Sequence, residues 1–285
     1  MAPKTVVVTG GTRGIGQGLA RVLLRQGARV FITGTTPAST EKGLAALGGA
    51  GPNLAGTACD IADRDQVQAV WDAAVAAFGT VDVWINNAAI SMPRRPLWEI
   101  PVEEFQHIVT TNLVGISNGD AVAITGMLGQ GHGMVWNMEG FGSDGAVQVG
   151  MAPYGSTKYA LRYVTKTLVK ELKDQPVGVG YMSPGIVATD MLVHDYDGQP
   201  EEWERVKKFF NILGDSVETV TEHLGTEVLK PHKNGDRIEW LTKGKAFRRF
   251  ASAPFRKRDI FGDLRPSDVA PSSSDSDAGT TTAAS

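Results

Sequence analysis

Tyr154 and Lys158 stand four residues apart in the stretch YGSTK, so a helix would carry both on one face. A free tyrosine has a pKa of about 10, too high for easy proton transfer at neutral pH. A neighbouring ammonium favours the phenolate and is expected to lower that value. Such a pair suits the reduction of a carbonyl: Tyr154 gives its proton to the carbonyl oxygen as hydride arrives at carbon. Tyr-x-x-x-Lys arises by chance in many helices, so its weight comes from what precedes it.

TGGTRGIG, residues 9–16, closes an apolar run and opens a helical one, with glycines at Gly10, Gly14 and Gly16. A glycine turn in that place lets backbone approach a pyrophosphate and turns helix N–H groups toward its charge. Thr12, Arg13 and Ile15 complete the loop as expected cofactor contacts. Lys158 would then hold the ribose of a bound nicotinamide. An NAD site usually has an acid at the end of the second strand, but here GTTPAS, residues 34–39, has none. Arg13 and the hydroxyls of Thr35 and Thr36 would suit a 2′-phosphate instead, so NADPH is the expected cofactor and NADH the less favoured one. Asp60, followed by Ile61, is placed to meet the adenine; the competing role for Asp60 is a helix N-cap.

These groups need elements to hold them. Residues 5–10, 29–34, 81–89, 133–138 and 177–185 read as buried strands, with a weaker one at 53–60 and helical patterns between. This order implies an α/β fold, a doubly wound, mostly parallel Rossmann-type sheet covered on both faces. Residues 200–213 read as a helix opened by Pro and acids, 216–229 as a second, and 234–242 as a turn and a last strand. We expect one domain over 1–265. Within it, lid helices span 191–233 and a basic segment spans 243–258. A tail at 266–285, nearly free of bulky apolar side chains, is expected to be disordered.

Together these motifs resemble the short-chain dehydrogenase/reductase family over roughly residues 4–245. TGGTRGIG matches the cofactor loop. NNAA, residues 86–89, matches a strand-four motif that usually ends in glycine, with Asn87 and Ala88 near the cofactor. Asn112 matches an asparagine that supports a water chain behind the lysine and counts as catalytic. SPGIVATD, residues 183–190, matches the segment around the nicotinamide and assigns Pro184, Gly185, Val187 and Thr189 to it. The family's serine does not stand in its slot, which falls on Glu139 or Gly140. Ser143 is the nearest hydroxyl. It could swing in through the glycines at 140 and 142, or backbone N–H groups or water could hold the carbonyl oxygen. The third possibility is a silent nucleotide-binding protein.

A narrower resemblance bears on that choice. NMEGFGSDG, residues 137–145, with YGSTK, SPGIVATDML, FFNIL and NGDRIEWLT, is similar to the chlorophyll(ide) b reductase branch. It implies NADPH-dependent reduction of the 7-formyl group of chlorophyll b or chlorophyllide b to 7-hydroxymethyl. The alternative enzyme serves another apolar carbonyl, such as a quinone, ketosteroid or ketoacyl group. A tetrapyrrole needs an open, partly apolar site. Met92, Phe141, Met191 and Leu192 are the candidates, with Trp98, Trp203, Phe209 and Phe210 as further ones for which core packing competes. His194 could touch a chlorophyll magnesium, though a surface role competes more strongly. The family's habit implies a homo-oligomer.

Composition narrows the rest. A net charge of -3 argues against a general nucleic-acid binder. Cys59 is the sole cysteine, which excludes an intrachain disulfide and fits a reducing compartment. The five histidines show no paired metal spacing, so no protein-bound metal is expected. No apolar run is long enough to cross a bilayer, and the first strand leaves no room for a targeting segment in this chain. The expected location is cytoplasm in a bacterium, or plastid stroma or thylakoid surface in a photosynthetic eukaryote. Residues 243–258 carry seven basic and no acidic residues, interleaved with Phe247, Phe250 and Phe255. They could touch an anionic membrane, or pack their aromatic face on the domain or on a second subunit.

Overall fold

Three consecutive valines show how the layers arise. Val6 and Val8 face one apolar cluster and Val7 the other, as the two-residue period of a strand requires. A computed structural model describes residues 3–268. Most of the tail expected to be disordered lies outside the described residues. The elements run β1 (Thr5–Val8), α1 (Gly14–Arg25), β2 (Arg29–Gly34), α2 (Pro37–Ala46), β3 (Leu54–Ala58), α3 (Arg64–Phe78), β4 (Val83–Asn86), α4 (Val102–Val109), α5 (Ile116–Gln130), β5 (Gly133–Met138) and α6 (Ala152–Glu171). They continue with β6 (Val177–Ser183), β7 (Val187–Ala188), α7 (Asp190–His194), α8 (Pro200–Leu213), β8 (Asp215–Ser216), α9 (Val217–Val228), β9 (Arg237–Glu239) and α10 (Lys243–Ser252).

Seven strands form one parallel sheet in the order β3-β2-β1-β4-β5-β6-β9. Leu19 and Leu23 of α1 and Val220 and Leu224 of α9 cover one face. Val67, Val70 and Trp71 of α3 and Val122, Ala123 and Met127 of α5 cover the other. Burial on both faces explains why the strands read as continuous apolar runs. A minor sheet, β7 with β8, escaped the sequence reading because two-residue strands carry no period.

The region after β6 builds a third apolar cluster, in which Trp203 and Phe210 of α8 pack with Val193, Tyr196 and Phe261. This settles two of the open assignments: Trp203 and Phe210 are core, and Phe209 is the exposed member of its pair. Phe261 meets Trp203 edge to face at 5.1 Å, so chain beyond α10 returns to complete this cluster, in the region expected to form the lid.

Candidate active site

The nucleotide side of the site is assembled at the carboxyl ends of the strands. Gly10 and Gly14 have φ of 63° and 53°, a region that favours glycine. A side chain at Gly16 would collide with the carbonyl of Gly10 and the amide of Asn87. Asn87 donates from Nδ2 to the carbonyls of Thr9, at 2.9 Å, and Gly10, at 3.2 Å. The NNAA segment thus clasps the glycine turn from the next strand. Helix α1 has no side-chain N-cap, as is also true of α4, α5, α6 and α8, and its N-cap residue Arg13 is exposed. The uncapped N–H groups of α1 therefore face the turn with no side chain serving them, which fits a phosphate group.

The other nucleotide candidates gather on the same edge. Thr12 fills the space beside Gly34 and Gly43. Ile15 is half-buried on α1, and Thr35 is exposed after β2. Asp60 and Ile61 follow β3. The cap of α3 is Asp63, not Asp60, so the capping alternative for Asp60 fails. Asp60 instead accepts from the backbone N–H of Ala62 at 2.9 Å. Ala88 lies against Gly10, and Thr189, capping α7, is near Gly14. Pro184, Gly185 and Val187 lead from β6 to that cap. These residues can hold a dinucleotide along the sheet edge.

On the chemical side, α6 carries Tyr154 and Lys158 on one face. Lys158 is 1% exposed and donates from Nζ to the Met138 carbonyl at 3.0 Å. Burial pulls its pKa down to about 8, and the charge of Glu139 opposes that pull. Tyr154 departs from the expectation of a lowered pKa: burial pushes it up, and the nearby charge of Asp195 pushes further in the same direction. The Lys158 ammonium donates to the Met138 carbonyl and lies 5.7 Å from the centre of the tyrosine ring. A raised pKa keeps the phenol protonated, the state a proton donor needs.

Asn112 sits in a π turn, Thr110–Gly115, between α4 and α5, a local irregularity the sequence does not signal. Its side chain is fully buried and grips the backbone of Ile90, donating to its carbonyl and accepting from its N–H, each at 2.8 Å. Its side chain thus anchors the segment after β4.

The segment at the missing serine has a definite shape. Glu139, 6% exposed, is paired with both guanidinium nitrogens of Arg237 on β9, and Arg162 of α6 approaches it at 3.7 Å. Arg162 also donates to the Ser143 carbonyl at 3.2 Å. Gly140 follows, and a side chain there would strike the Tyr154 hydroxyl. The chain then turns back. Ser143 N–H donates to the Gly140 carbonyl, and Gly140 N–H donates to Ser143 Oγ, both at 3.1 Å. Ser143 is therefore folded back beside Gly140, its Oγ accepting from the Gly140 N–H. Arg237, Arg162 and Asp195 were absent from the sequence-based site. Asp195 is buried just past α7, burial pushes its carboxyl up to about 6, and its Oδ1 has no partner among the described residues.

The substrate candidates divide. Phe141 is exposed on the turn, Met191 and Leu192 are half-buried on α7, and Met92 is buried. Leu192 also packs against the lid cluster. Trp98 is exposed, and His194 pairs with Asp197.

A glycine turn clasped by Asn87, an uncapped helix over it and a Tyr–Lys pair on α6 define one architecture. The short chain dehydrogenase family matches residues 4–200. The chain belongs to that family. It is an NAD(P)-dependent oxidoreductase. Among relatives, it is 33% identical over 280 residues to a probable chlorophyll(ide) b reductase of rice (Oryza sativa subsp. japonica), covering 92% of this chain. The chain spans about half of that protein's length, 54%. It is 34% identical to a putative ketoacyl reductase of granaticin polyketide synthase from Streptomyces violaceoruber, over 67% of this chain and 70% of the relative. The fold matches a 3-ketoacyl-(acyl-carrier-protein) reductase from Brucella melitensis complexed with NADH, with TM-score 0.73 and 24% identity, over 85% of this chain and 98% of that one. No helix among the described residues is long and apolar enough to cross a membrane.

Proposed function

We propose that this chain reduces the 7-formyl group of chlorophyll b or chlorophyllide b to 7-hydroxymethyl, with NADPH. The observation that carries this reading is where the likenesses stop. Similarity to the chlorophyll(ide) b reductase covers 92% of the chain, whereas similarity to the ketoacyl reductase covers 67%. The wider match leaves far less of this chain unaccounted for than the ketoacyl reductase does.

NADPH, when bound, supplies the hydride. Tyr154 supplies the proton to the aldehyde oxygen, and its upward-shifted pKa keeps that proton in place until it is needed. Ser143 donates a second hydrogen bond to the same oxygen, in the place of the missing serine. Lys158 holds the cofactor ribose. The absence of an acid after β2, with Arg13 and Thr35 exposed there, supports the phosphorylated cofactor. The turn after β5 offers Phe141, and α7 offers Met191 and Leu192, to a flat apolar ring.

The test is an anaerobic assay with NADPH and chlorophyllide b, following the pigment spectrum and separating products by chromatography. The 7-hydroxymethyl pigment is expected from the wild type and not from Tyr154→Phe, which should still bind NADPH. Turnover of a ketoacyl or quinone substrate with none of chlorophyllide b would overturn the substrate. Turnover surviving in Tyr154→Phe would overturn the mechanism.

A further inference from the structure

We propose that α10 and the turn after it form a docking surface for an anionic lipid membrane, beside the lid. The proposal rests on how this basic segment is oriented. Three of its seven cations face inward, and one of them, Lys245, sets its ammonium over the Trp240 ring. Arg249 binds Asp215 at 2.6 Å and the Leu213 carbonyl at 2.6 Å. Arg258 binds the other oxygen of Asp215 at 2.5 Å and the Ile212 carbonyl at 2.9 Å. Trp240 donates to the same carboxylate at 2.6 Å. Asp215 thus ties the middle and the far end of the segment to the chain just after α8, which fixes the face it turns outward.

That outward face is apolar along its middle and cationic along its sides. Phe247, Ala251 and Phe255 recur at four-residue intervals, and the two rings are 75% and 87% exposed. The stripe continues through Phe250, which packs on the exposed Phe209 of α8 at 5.8 Å between ring centres. Lys243, Arg248, Arg256 and Lys257 flank it, all exposed, and none of them belongs to an ion pair among the described residues. The expectation that the aromatic face packs on its own domain therefore fails for Phe247 and Phe255.

Protruding rings between unpaired cations fit the boundary between lipid headgroups and acyl chains, with the cations meeting anionic headgroups. The one concavity described along this segment, lined by Ile212, Arg249, Ser252, Ala253, Arg256 and Arg258, does not include the exposed rings of Phe247 and Phe255. The position adds a functional reason that rests on the proposed substrate: α10 leans on α8, so a membrane-bound apolar substrate would meet the lid directly. Lipid binding itself does not depend on that substrate, so the two readings can fail separately.

The experiment is sedimentation of the full chain with vesicles of phosphatidylcholine alone, or of equal parts phosphatidylcholine and phosphatidylglycerol, at low and high salt. Binding is expected to the anionic vesicles at low salt, with weakening at high salt. The double variant Phe247→Ser/Phe255→Ser and the double variant Arg248→Glu/Lys257→Glu should each weaken binding at least tenfold while melting and NADPH binding stay as in the wild type. No binding to anionic vesicles, equal binding to neutral ones, or variants that bind like the wild type would overturn the proposal. So would a change of oligomeric state in the variants without vesicle binding, which would assign the stripe to a second copy.

Discussion

Ser143 and Glu139 flank the position where the family's serine is missing. Ser143 stands beside Gly140 because of a turn, and that turn is held by Arg162, which also faces Glu139. If Ser143 donates to the substrate oxygen, Ser143→Ala should lower kcat by about tenfold to a thousandfold. A smaller loss in single-turnover measurements would return the role to backbone or water. Glu139→Gln tests a different effect. The Glu139 charge raises the pKa of Lys158 against the downward pull of burial. Without it Lys158 loses its proton at lower pH, so the alkaline fall of kcat/KM should move to lower pH. A profile with an unmoved alkaline limb would remove Glu139 from the electrostatics of the site. Tyr154 and Lys158 were legible in the sequence because their relation is local, one turn of helix. The partner of Glu139 was not, since Arg237 lies 98 residues away on another strand. The pKa of Tyr154 was misjudged for a related reason: sequence spacing shows the ammonium but not the burial or Asp195.

Between the elements, Asp120 of α5 is the polar fastener. It accepts from Asn86 of β4 at 2.9 Å and from Asn137 of β5 at 3.1 Å, and Asn137 also reaches Thr165 of α6 at 3.0 Å. Burial raises the Asp120 carboxyl to about 7. A folded-state pKa above the ordinary 3.8 means the fold binds this proton more tightly than the unfolded chain does. The resulting stabilisation is fully present below that ordinary value and is lost as pH rises through about 7. Asp120→Asn should flatten this part of the stability profile in melts across that range. It should also cost roughly 1–3 kcal/mol, because its amide would turn a donor toward a neighbouring donor. A variant that keeps the wild-type slope would show that another group titrates. Among the elements, α8 was legible residue for residue, since Pro200, two acids and an apolar stripe mark it. The π turn holding Asn112 was not, because its hydrogen-bond pattern leaves no mark on composition or period.

For the molecule as a whole, the order β3-β2-β1-β4-β5-β6-β9 reverses direction between β1 and β4, and such a switch point opens a crevice at the strand ends. The alternation of strands and helices made this sheet legible before the structure. The lid cluster was not, because its closing residue, Phe261, comes from chain beyond the basic helix. A ligand in the crevice stabilises the fold by mass action, about 2.7 kcal/mol at a hundred times its Kd. At equal concentration NADPH should therefore raise Tm more than NADH does. The reverse order would reassign the cofactor and the role given to Arg13.

The pairing of Glu139 with Arg237 has a consequence for how the protein is made. Synthesis runs from the amino end, so the glycine turn, Tyr154 and Lys158 all leave the ribosome before β9 does. A nascent chain can possess every catalytic group and still lack the clamp that shapes the turn beside them. The growing polypeptide thus has only Arg162 to set against Glu139 until β9 joins the edge of the sheet, and a chain cut short before Arg237 would leave that buried carboxylate without its two-pronged partner.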